Sequence, residues 1–578
     1  MFLKRVLRIL LFVSVTVGVI VISGPVCAQE PVPEAPSITI RANTRLVMVD
    51  VVVMDKAGQP VTGLKPENFT VEENGKKQKI SVFVLAGASN GSAATPQPGI
   101  LSNRPQDLVP GGVPMVLLLD ATNSSFSNQA YARTQMLKYV AEHGQGRPMA
   151  ILTLTDRLRV LQEFTSDPQV LLMAIKNFAP ESPILQPAPA PSNIGPVVGV
   201  NGQVILNTSE AVRQFADVEI GYNLERRTLI TLDAMRSLTW MLGGLPGRKN
   251  VVWLTASLPF DLVPEDRNVS DAQLLADLPA QGKQRPVALN AAGSLAAEQR
   301  SLYADQIRQA ESQLASAGIA IYPVDLRGLV SGMENSASRG GQVYSNPSAM
   351  SDRAISTTGA MVASHGTMEE VAAQTGGKAY INENEIKEGV ALAAADEKAS
   401  YSLGYYPENK KWDGKLRTIK IKLEKPDTQI RYRKGYFAIE PGPIKDHNYE
   451  QDVLTALAVD APATQVSFKA QAKETDPGKV RVIFLVDANT LTAEDAGGNK
   501  KINVSFYATI WGSGDKNLAA QSIKVDKAFE GTIYKQIVDK GMMVPIDLNV
   551  PAGARELRLA VLDNKTGYIG TVSGPIGQ

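Results

Sequence analysis

A carboxylate and two hydroxyl side chains follow an apolar run at one point in the chain. The run 115–119 ends at Asp120, and Thr122 and Ser124 follow at two-residue spacing. Carboxylate and hydroxyl oxygens are the hard ligands that Mg²⁺ and Ca²⁺ prefer, so a divalent-cation site would need such a pattern. Ser and Thr are also favoured where a helix begins, so a helix N-cap with incidental hydroxyls is the alternative interpretation.

The segment that contains these residues has the pattern of an α/β domain. Continuous apolar strands are predicted at 113–119, 149–155, 250–258 and 318–326. Helical spacing is predicted at 128–142, 167–178, 208–242, 296–317, 367–374 and 385–400. Because buried strands alternate with helices, we expect a doubly wound α/β sheet over residues 113–400.

Three stretches of unusual composition interrupt this alternation, at 180–198, 259–295 and 330–366. The last two directly follow predicted strands, so they leave the sheet at the carboxyl ends of its strands. The first leads into a loop that should return to the same edge. Ligands bind at this edge in open α/β sheets, so we expect a recognition surface there. Tolerated surface insertions are the alternative for each stretch.

The segments on either side of the α/β region are rich in β pattern. Asn74-Gly75 lies between two β-rich runs and is a strong hairpin signal. Residues 37–85 and 401–438 are each too short for a stable sheet, so we predict that they pair in one sandwich with the α/β domain inserted between them. Residues 86–112 have the Gly, Ser and Pro content of a linker. Residues 449–578 have the strand and turn pattern of an Ig-like or fibronectin-like sandwich.

The first 28 residues have the pattern of an export signal. Lys4, Arg5 and Arg8 precede the apolar run 9–22, and small residues follow at 26–28. Fourteen apolar residues are short for a membrane-spanning helix, so we expect cleavage, with an uncleaved anchor as the alternative. The mature chain would then be exported to the periplasm or the outside and would have no transmembrane helix.

The remaining composition excludes several classes of function. Cys27 is the only cysteine, so the mature chain has no disulfide and no thiolate site. Without the predicted signal, 56 basic residues stand against 58 acidic ones, which leaves no basis for nucleic-acid binding. His143, His365 and His447 show no metal-ligand spacing and are interpreted as solvated surface residues. With no nucleophile motif or cofactor loop either, we predict a protein that is not an enzyme.

The motif at Asp120, Thr122 and Ser124 is similar to the Asp-x-Ser-x-Ser motif of the von Willebrand factor type A (VWA) domain. The following segment 149–178 resembles the next hairpin and helix of that Rossmann-like fold. The flanking sequences YSLGYYP (401–407) and RYRKGYFA (431–438) resemble those of the VWFA-related acidobacterial family. The resemblance therefore extends over most of the chain.

The resemblance implies a metal-ion-dependent adhesion site. In VWA domains such a site holds a divalent cation, which accepts a carboxylate from a protein partner. Asp120, Thr122 and Ser124 match three of its ligands. Thr228 is the best match for the later threonine, with Thr231 as the alternative. The later aspartate is missing, because Ala256 occupies its place in Thr255-Ala256-Ser257.

The expected function follows from this degenerate site. Loss of a carboxylate weakens any binding of Mg²⁺ or Ca²⁺, since Mg²⁺ gives up its waters reluctantly. We expect an exported binding protein that engages a protein or a cell-envelope ligand offering a carboxylate. A structural cell-envelope protein without a working metal site is the alternative.

Overall fold

The computed structural model describes most of the chain, with gaps. The described residues are 46–85, 99–109, 113–180, 197–198, 204–206, 208–260, 303, 305–328, 347–382, 386–396, 399–438 and 448–576. The predicted export signal 1–28 and His447 lie outside this part of the chain. So do much of the predicted linker 86–112 and parts of the three predicted insertions.

The described residues form a mixed α/β molecule with one mostly parallel sheet and several antiparallel sheets. Its strands are β1 (Val47–Asp55), β2 (Phe69–Glu73), β3 (Lys76–Gln78), β4 (Ile80–Leu85), β5 (Ile100–Ser102), β6 (Met115–Asp120), β7 (Met149–Leu154), β8 (Leu158–Thr165), β9 (Val197–Val198), β10 (Val204–Leu206), β11 (Lys249–Thr255), β12 (Ile319–Asp325), β13 (Ser400–Tyr405), β14 (Leu416–Leu423), β15 (Thr428–Arg431), β16 (Gly435–Phe437), β17 (Phe468–Asp476), β18 (Lys479–Val486), β19 (Ala493–Ala496), β20 (Asn499–Gly512), β21 (Lys516–Phe529), β22 (Met542–Asn549), β23 (Glu556–Asp563) and β24 (Tyr568–Pro575).

Helices occur mainly between the strands of the parallel sheet. They are α1 (Pro105–Leu108), α2 (Phe126–His143), α3 (Pro168–Asn177), α4 (Thr208–Leu242), α5 (305–316), α6 (Pro347–Thr375), α7 (Ile386–Ala395), α8 (Tyr449–Ala458) and α9 (Gly531–Lys540). Short 3₁₀ turns lie at Pro66–Asn68 and Ala488–Thr490. Within the described ranges, no helix is both long and apolar enough to cross a membrane.

The parallel sheet has the order β12-β11-β6-β7-β8, in which only β8 runs antiparallel. Every residue of β6 is buried, as expected for a strand covered on both faces. Val116 and Leu118 point into a cluster with α4, α5 and α6, whereas Leu117 and Leu119 point into a cluster with α2, α3 and α7. Helices therefore cover both faces, and functional residues must lie at the strand ends.

Strands from before and after the parallel sheet combine in the first β unit (46–85 and 399–438). Its two sheets have the orders β15-β1-β13-β4 and β16-β14-β2-β3, and both contribute to one hydrophobic cluster. In the register of β1 and β13, Val49 lies opposite Leu403. The hairpin signal is confirmed, because Asn74 (φ 47°) and Gly75 (φ 78°) form the turn between β2 and β3.

The second β unit (99–102 and 448–576) contains the sheets β22-β18-β17-β5 and β19-β20-β23-β24, with β21 paired to β20. One hydrophobic cluster draws residues from both sheets. Strand β5 comes from the predicted linker, which is a correction to that prediction, since Lys469 of β17 pairs with Ser102. The apolar pair Ile100 and Leu101 was concealed by the Gly- and Pro-rich residues around it.

A buried polar network joins the first β unit to the amino ends of the parallel strands. Arg248, which directly precedes β11, places Nη1 at 3.6 Å from Oδ2 of Asp50 in β1. Its Nη2 donates to the Tyr322 hydroxyl at 2.9 Å, and that hydroxyl donates to Asp396 at 2.8 Å. The first β unit is thus anchored at the end of the sheet opposite its carboxyl edge.

Lys249, the next residue, is also buried, and its Nζ donates to the backbone carbonyl of Leu245 at 2.9 Å. Its burial predicts an unusual pH dependence of stability. Burial lowers the pKa of Lys249 from 10.5 to about 8, against the opposing effect of Asp50. Between these two pH values the unfolded chain binds more protons at this residue than the folded chain. The native protein should therefore gain stability from this group as pH rises from 8 to 10.5.

We expect Lys249→Met to remove this gain. From pH 10.5 down to pH 7 the stability of the variant relative to the native chain should rise by on the order of 3 kcal/mol, since one pKa unit corresponds to about 1.4 kcal/mol. Loss of the hydrogen bond from Lys249 Nζ to the Leu245 carbonyl lowers the stability of the variant at every pH and leaves this pH dependence unchanged. Urea unfolding at a series of pH values measures it, with the exposed Lys479→Met as control. Parallel stability curves for the native chain and Lys249→Met would contradict a lowered pKa of Lys249.

Candidate functional site

The ends of three neighbouring parallel strands bring polar side chains to one edge of the sheet, here called the carboxyl edge. Asp120 ends β6, Thr255 ends β11 and Asp325 ends β12. Because β6, β11 and β12 are adjacent and parallel, these three residues lie along one line at the edge.

Asp120 is fully buried, and its carboxylate is occupied by donors from the protein itself. Oδ1 accepts from the backbone N–H of Asn123 at 2.9 Å. Oδ2 accepts from Asn123 Nδ2 at 2.8 Å, from Trp253 Nε1 at 3.1 Å and from Thr255 Oγ1 at 2.9 Å. Burial raises the pKa of Asp120, and these hydrogen bonds oppose that rise.

The two hydroxyl residues of the motif are also buried and engaged. Thr122 Oγ1 donates to the backbone carbonyl of Leu154 at 3.2 Å and contacts that of Thr155. Ser124 Oγ accepts from the backbone N–H of Ala256 at 3.1 Å. Thr122 therefore holds the motif loop to the end of β7, and Ser124 holds it to the end of β11.

The structure separates the two candidates for the later threonine. Thr228 donates to the carbonyls of Leu224 and Pro259, both at 2.9 Å, and makes no hydrogen bond to the motif loop among the described residues. Thr231, less than one helical turn further along α4, accepts from Asn123 Nδ2 at 3.2 Å. Thr231 rather than Thr228 therefore reaches the residues around Asp120.

Asn123 and Arg227, which the sequence did not indicate as site residues, complete the centre of the edge. Arg227 of α4 donates through Nε to Asn123 Oδ1 at 2.7 Å and through Nη2 to Ser257 Oγ at 3.1 Å. Burial lowers the pKa of Arg227, while the charge of Asp120 raises it. The available signals were the polar Asn123 between the two hydroxyls and an arginine next to the candidate threonine, and neither specifies a contact.

These residues, as arranged, do not fit a Mg²⁺ or Ca²⁺ site. Ala256 offers no carboxylate, and the carboxylate of Asp120 is already surrounded by protein donors. The Thr122 hydroxyl donates to backbone carbonyls, and the guanidinium of Arg227 introduces a positive charge that would repel a cation. In the described part of the chain, no three His, Cys, Asp or Glu side chains are grouped to hold a metal ion.

A second polar cluster lies at the end of β12. The buried carboxylate of Asp325 accepts from Arg327 Nε and Nη2, both at 2.9 Å, and lies 2.7 Å from His365 Nε2. The interpretation of His365 as a solvated loop residue was wrong, because it lies on α6 and packs against this edge. The Ser- and Gly-rich composition of residues 330–366 had suggested a loop and concealed the helix.

Large apolar side chains are exposed on the segments that surround the carboxyl edge. Phe126, which begins α2 directly after the motif loop, is 57% exposed. Tyr222 of α4 is 62% exposed, and Val362, one turn before His365 on α6, is 56% exposed. Aromatic side chains and arginine are enriched at protein-binding surfaces.

Comparison with known proteins leaves the family open. No protein-family model matches the chain, and no curated protein matches it. Among solved structures, an aerotolerance-related membrane protein from Bacteroides fragilis is 14% identical over 50% of this chain and 100% of its own, with a TM-score of 0.23. A conserved hypothetical protein BatB from Bacteroides thetaiotaomicron is 15% identical over 50% and 98%, with a TM-score of 0.22.

A von Willebrand factor type A protein from Catenulispora acidiphila covers more of the chain. It is 8% identical over 93% of this chain and 74% of its own, with a TM-score of 0.19. Similarities of this size assign neither a fold family nor a function.

Proposed function

We propose that the chain is an exported, non-enzymatic binding protein of the VWA type. It engages another protein or a cell-envelope component at the carboxyl edge of its parallel sheet. The observation that carries this proposal is the convergence of the motif loop with the ends of β7 and β11 and with α4 at that edge. Ligands of open α/β sheets bind at the same place.

We also propose a domain organisation that would present this edge to a partner. The α/β domain (113–400) is inserted into a sandwich built from residues 37–85 and 401–438, and residues 449–578 form a second, Ig-like or fibronectin-like sandwich. The pairing of β1 with β13 and β15 supports the insertion. Anchoring at the amino ends of the parallel strands leaves the carboxyl edge on the other side of the domain.

A non-enzymatic role is supported by the partners of the titratable groups at the edge. Asp325 and His365 form the acid–base pair that hydrolases use, but His365 makes no hydrogen bond to a hydroxyl among the described residues. Asp120 is enclosed by donors and offers no free oxygen to a substrate. The pair of Asp325 and His365 therefore holds α6 to the sheet.

A structural cell-envelope protein remains the second candidate. The hydrogen bonds of Asp120 favour this candidate. Its buried carboxylate accepts from four donors of the protein itself, and such a carboxylate can have a purely structural role. In that case the two β units would make the contacts with other cell-envelope components, and the carboxyl edge would bind no ligand.

Substitution of Phe126 separates the two candidates. We expect Phe126→Ala to reduce capture of a cross-linked partner from envelope extract by about tenfold or more, as truncation of an interface anchor does. Met173→Ala on α3 is the matched control, since Met173 is 56% exposed. Equal capture by both variants would place the binding surface elsewhere. Absence of any specific partner would favour the structural role.

A further inference from the structure

We propose that the guanidinium of Arg227 takes the place of the metal ion of an adhesion site, so that the carboxyl edge binds a partner carboxylate without a cation. The inference rests on the proposed function, because it names the group that the edge would recognise. Its basis is the contact between Arg227 and Asn123 and the missing carboxylate at Ala256.

Asn123 connects the arginine to the buried acid. Its Nδ2 donates to Asp120 Oδ2 at 2.8 Å, and its Oδ1 accepts from Arg227 Nε at 2.7 Å. A carboxylate accepts and a guanidinium only donates, so these two neighbours fix the orientation of the amide. The charge of Asp120 is thus linked to the positive charge of Arg227 by one side chain.

The charges at the edge are consistent with a guanidinium in place of a metal ion. A divalent cation between two carboxylates is neutralised by them. Here Ala256 replaces the second carboxylate, and one carboxylate, Asp120, is balanced by one guanidinium, Arg227. A metal ion added to this arrangement would leave an excess of positive charge in a partly buried site, which is costly.

The outer end of the guanidinium has N–H donors that no described residue uses. Nε and Nη2 are held by Asn123 and Ser257. Nη1 of Arg227 makes no hydrogen bond to any residue that the structure describes. Nη2 has a second hydrogen beyond the one given to Ser257 Oγ, so Nη1 and Nη2 together can donate a bidentate pair of hydrogen bonds to a carboxylate.

The metal part of the inference is tested by titration of the chelator-treated full chain with Mn²⁺. We expect no binding heat and no rise in melting temperature for the native chain. The double variant Arg227→Ala/Ala256→Asp, which removes the guanidinium and adds the second carboxylate, should bind Mn²⁺ at least about tenfold more tightly than the native chain. Saturable Mn²⁺ binding by the native chain would overturn the inference, as would a double variant that folds and binds no better than the native chain.

The ligand part is tested with N-acetyl-aspartate N-methylamide, and with the asparagine analogue as the uncharged probe. In buffer with chelator, the native chain should bind the aspartate probe at least about tenfold more tightly than the asparagine probe. Arg227→Gln should lose this preference. Arg226→Gln, at the adjacent exposed arginine, should keep it. Because Arg227→Gln removes a contact of Asn123, Arg227→Lys is included and should keep part of the preference.

The outcomes distinguish this inference from the proposed function. Equal binding of both probes by the native chain, or an unchanged preference in Arg227→Gln, would overturn the role of Arg227. If capture of a partner through Phe126 required a divalent cation, the binding function would stand and the inference would fall. If no partner were captured, the proposed function would fall, and the Mn²⁺ titration would still decide whether Arg227 replaces a metal.

Discussion

Arg417→Met should lower the free energy of unfolding by about 3–5 kcal/mol, because it removes one partner of a buried ion pair. Arg417 and Glu73 are 2% and 3% exposed, and Arg417 Nη1 lies 3.3 Å from Glu73 Oε1. The other oxygen of Glu73 accepts from the hydroxyls of Tyr405 and Tyr436, both at 2.8 Å. These four residues come from β14, β2, β13 and β16, so the loss weakens the pairing of the two halves of the first β unit.

A more exposed ion pair on the same strand provides the control. Lys422 of β14 pairs with Glu72 of β2, and the Lys422 side chain is 54% exposed. Lys422→Met should change stability by no more than about 1 kcal/mol, as is usual for exposed pairs. Urea unfolding followed by circular dichroism measures both variants. Similar small losses for Arg417→Met and Lys422→Met would contradict a first β unit that is held together by this buried pair.

Asp120→Ala should lower the free energy of unfolding by about 3–5 kcal/mol, because several buried donors lose their acceptor at once. The side chains of Asn123, Trp253 and Thr255 all donate to this carboxylate. Removal of its negative charge also leaves the positive charge of Arg227 without its nearby counter-charge.

The neighbouring strand supplies a control for Asp120→Ala. Asp156 follows β7 at the same edge and pairs with Arg159, with both side chains about 40% exposed. Asp156→Ala should cost no more than about 1 kcal/mol. Chemical denaturation read by tryptophan fluorescence measures both, since Trp253 contacts Asp120 directly. A loss below about 1 kcal/mol for Asp120→Ala would show that its carboxylate does not organise the edge.

The elements of the parallel sheet could be predicted because their sequence signals are local. The apolar run before Asp120 can be buried only in a strand covered on both faces, and β6 is buried throughout. The helix predicted at about 208–242 is confirmed with the same bounds. Strand β5 and the amino-terminal part of α6 were missed because Gly, Pro and Ser dominate the composition around them.

The centre of the carboxyl edge could be predicted only in part. A carboxylate at the end of a buried parallel strand must lie at that edge, which places Asp120. The contacts of Asn123 with Thr231 and Arg227 join residues more than 100 positions apart. Thr228 and Thr231 differ by less than one turn of α4, and only the packed orientation of the helix decides which of them faces Asn123.

A crystal structure of the native chain soaked in Mn²⁺, with anomalous data, tests the central claim most directly. We expect no anomalous peak within coordinating distance of Asp120, Thr122 or Ser124, and a guanidinium of Arg227 hydrogen-bonded to Asn123. A manganese peak bound to the Asp120 carboxylate, with the arginine displaced, would contradict it.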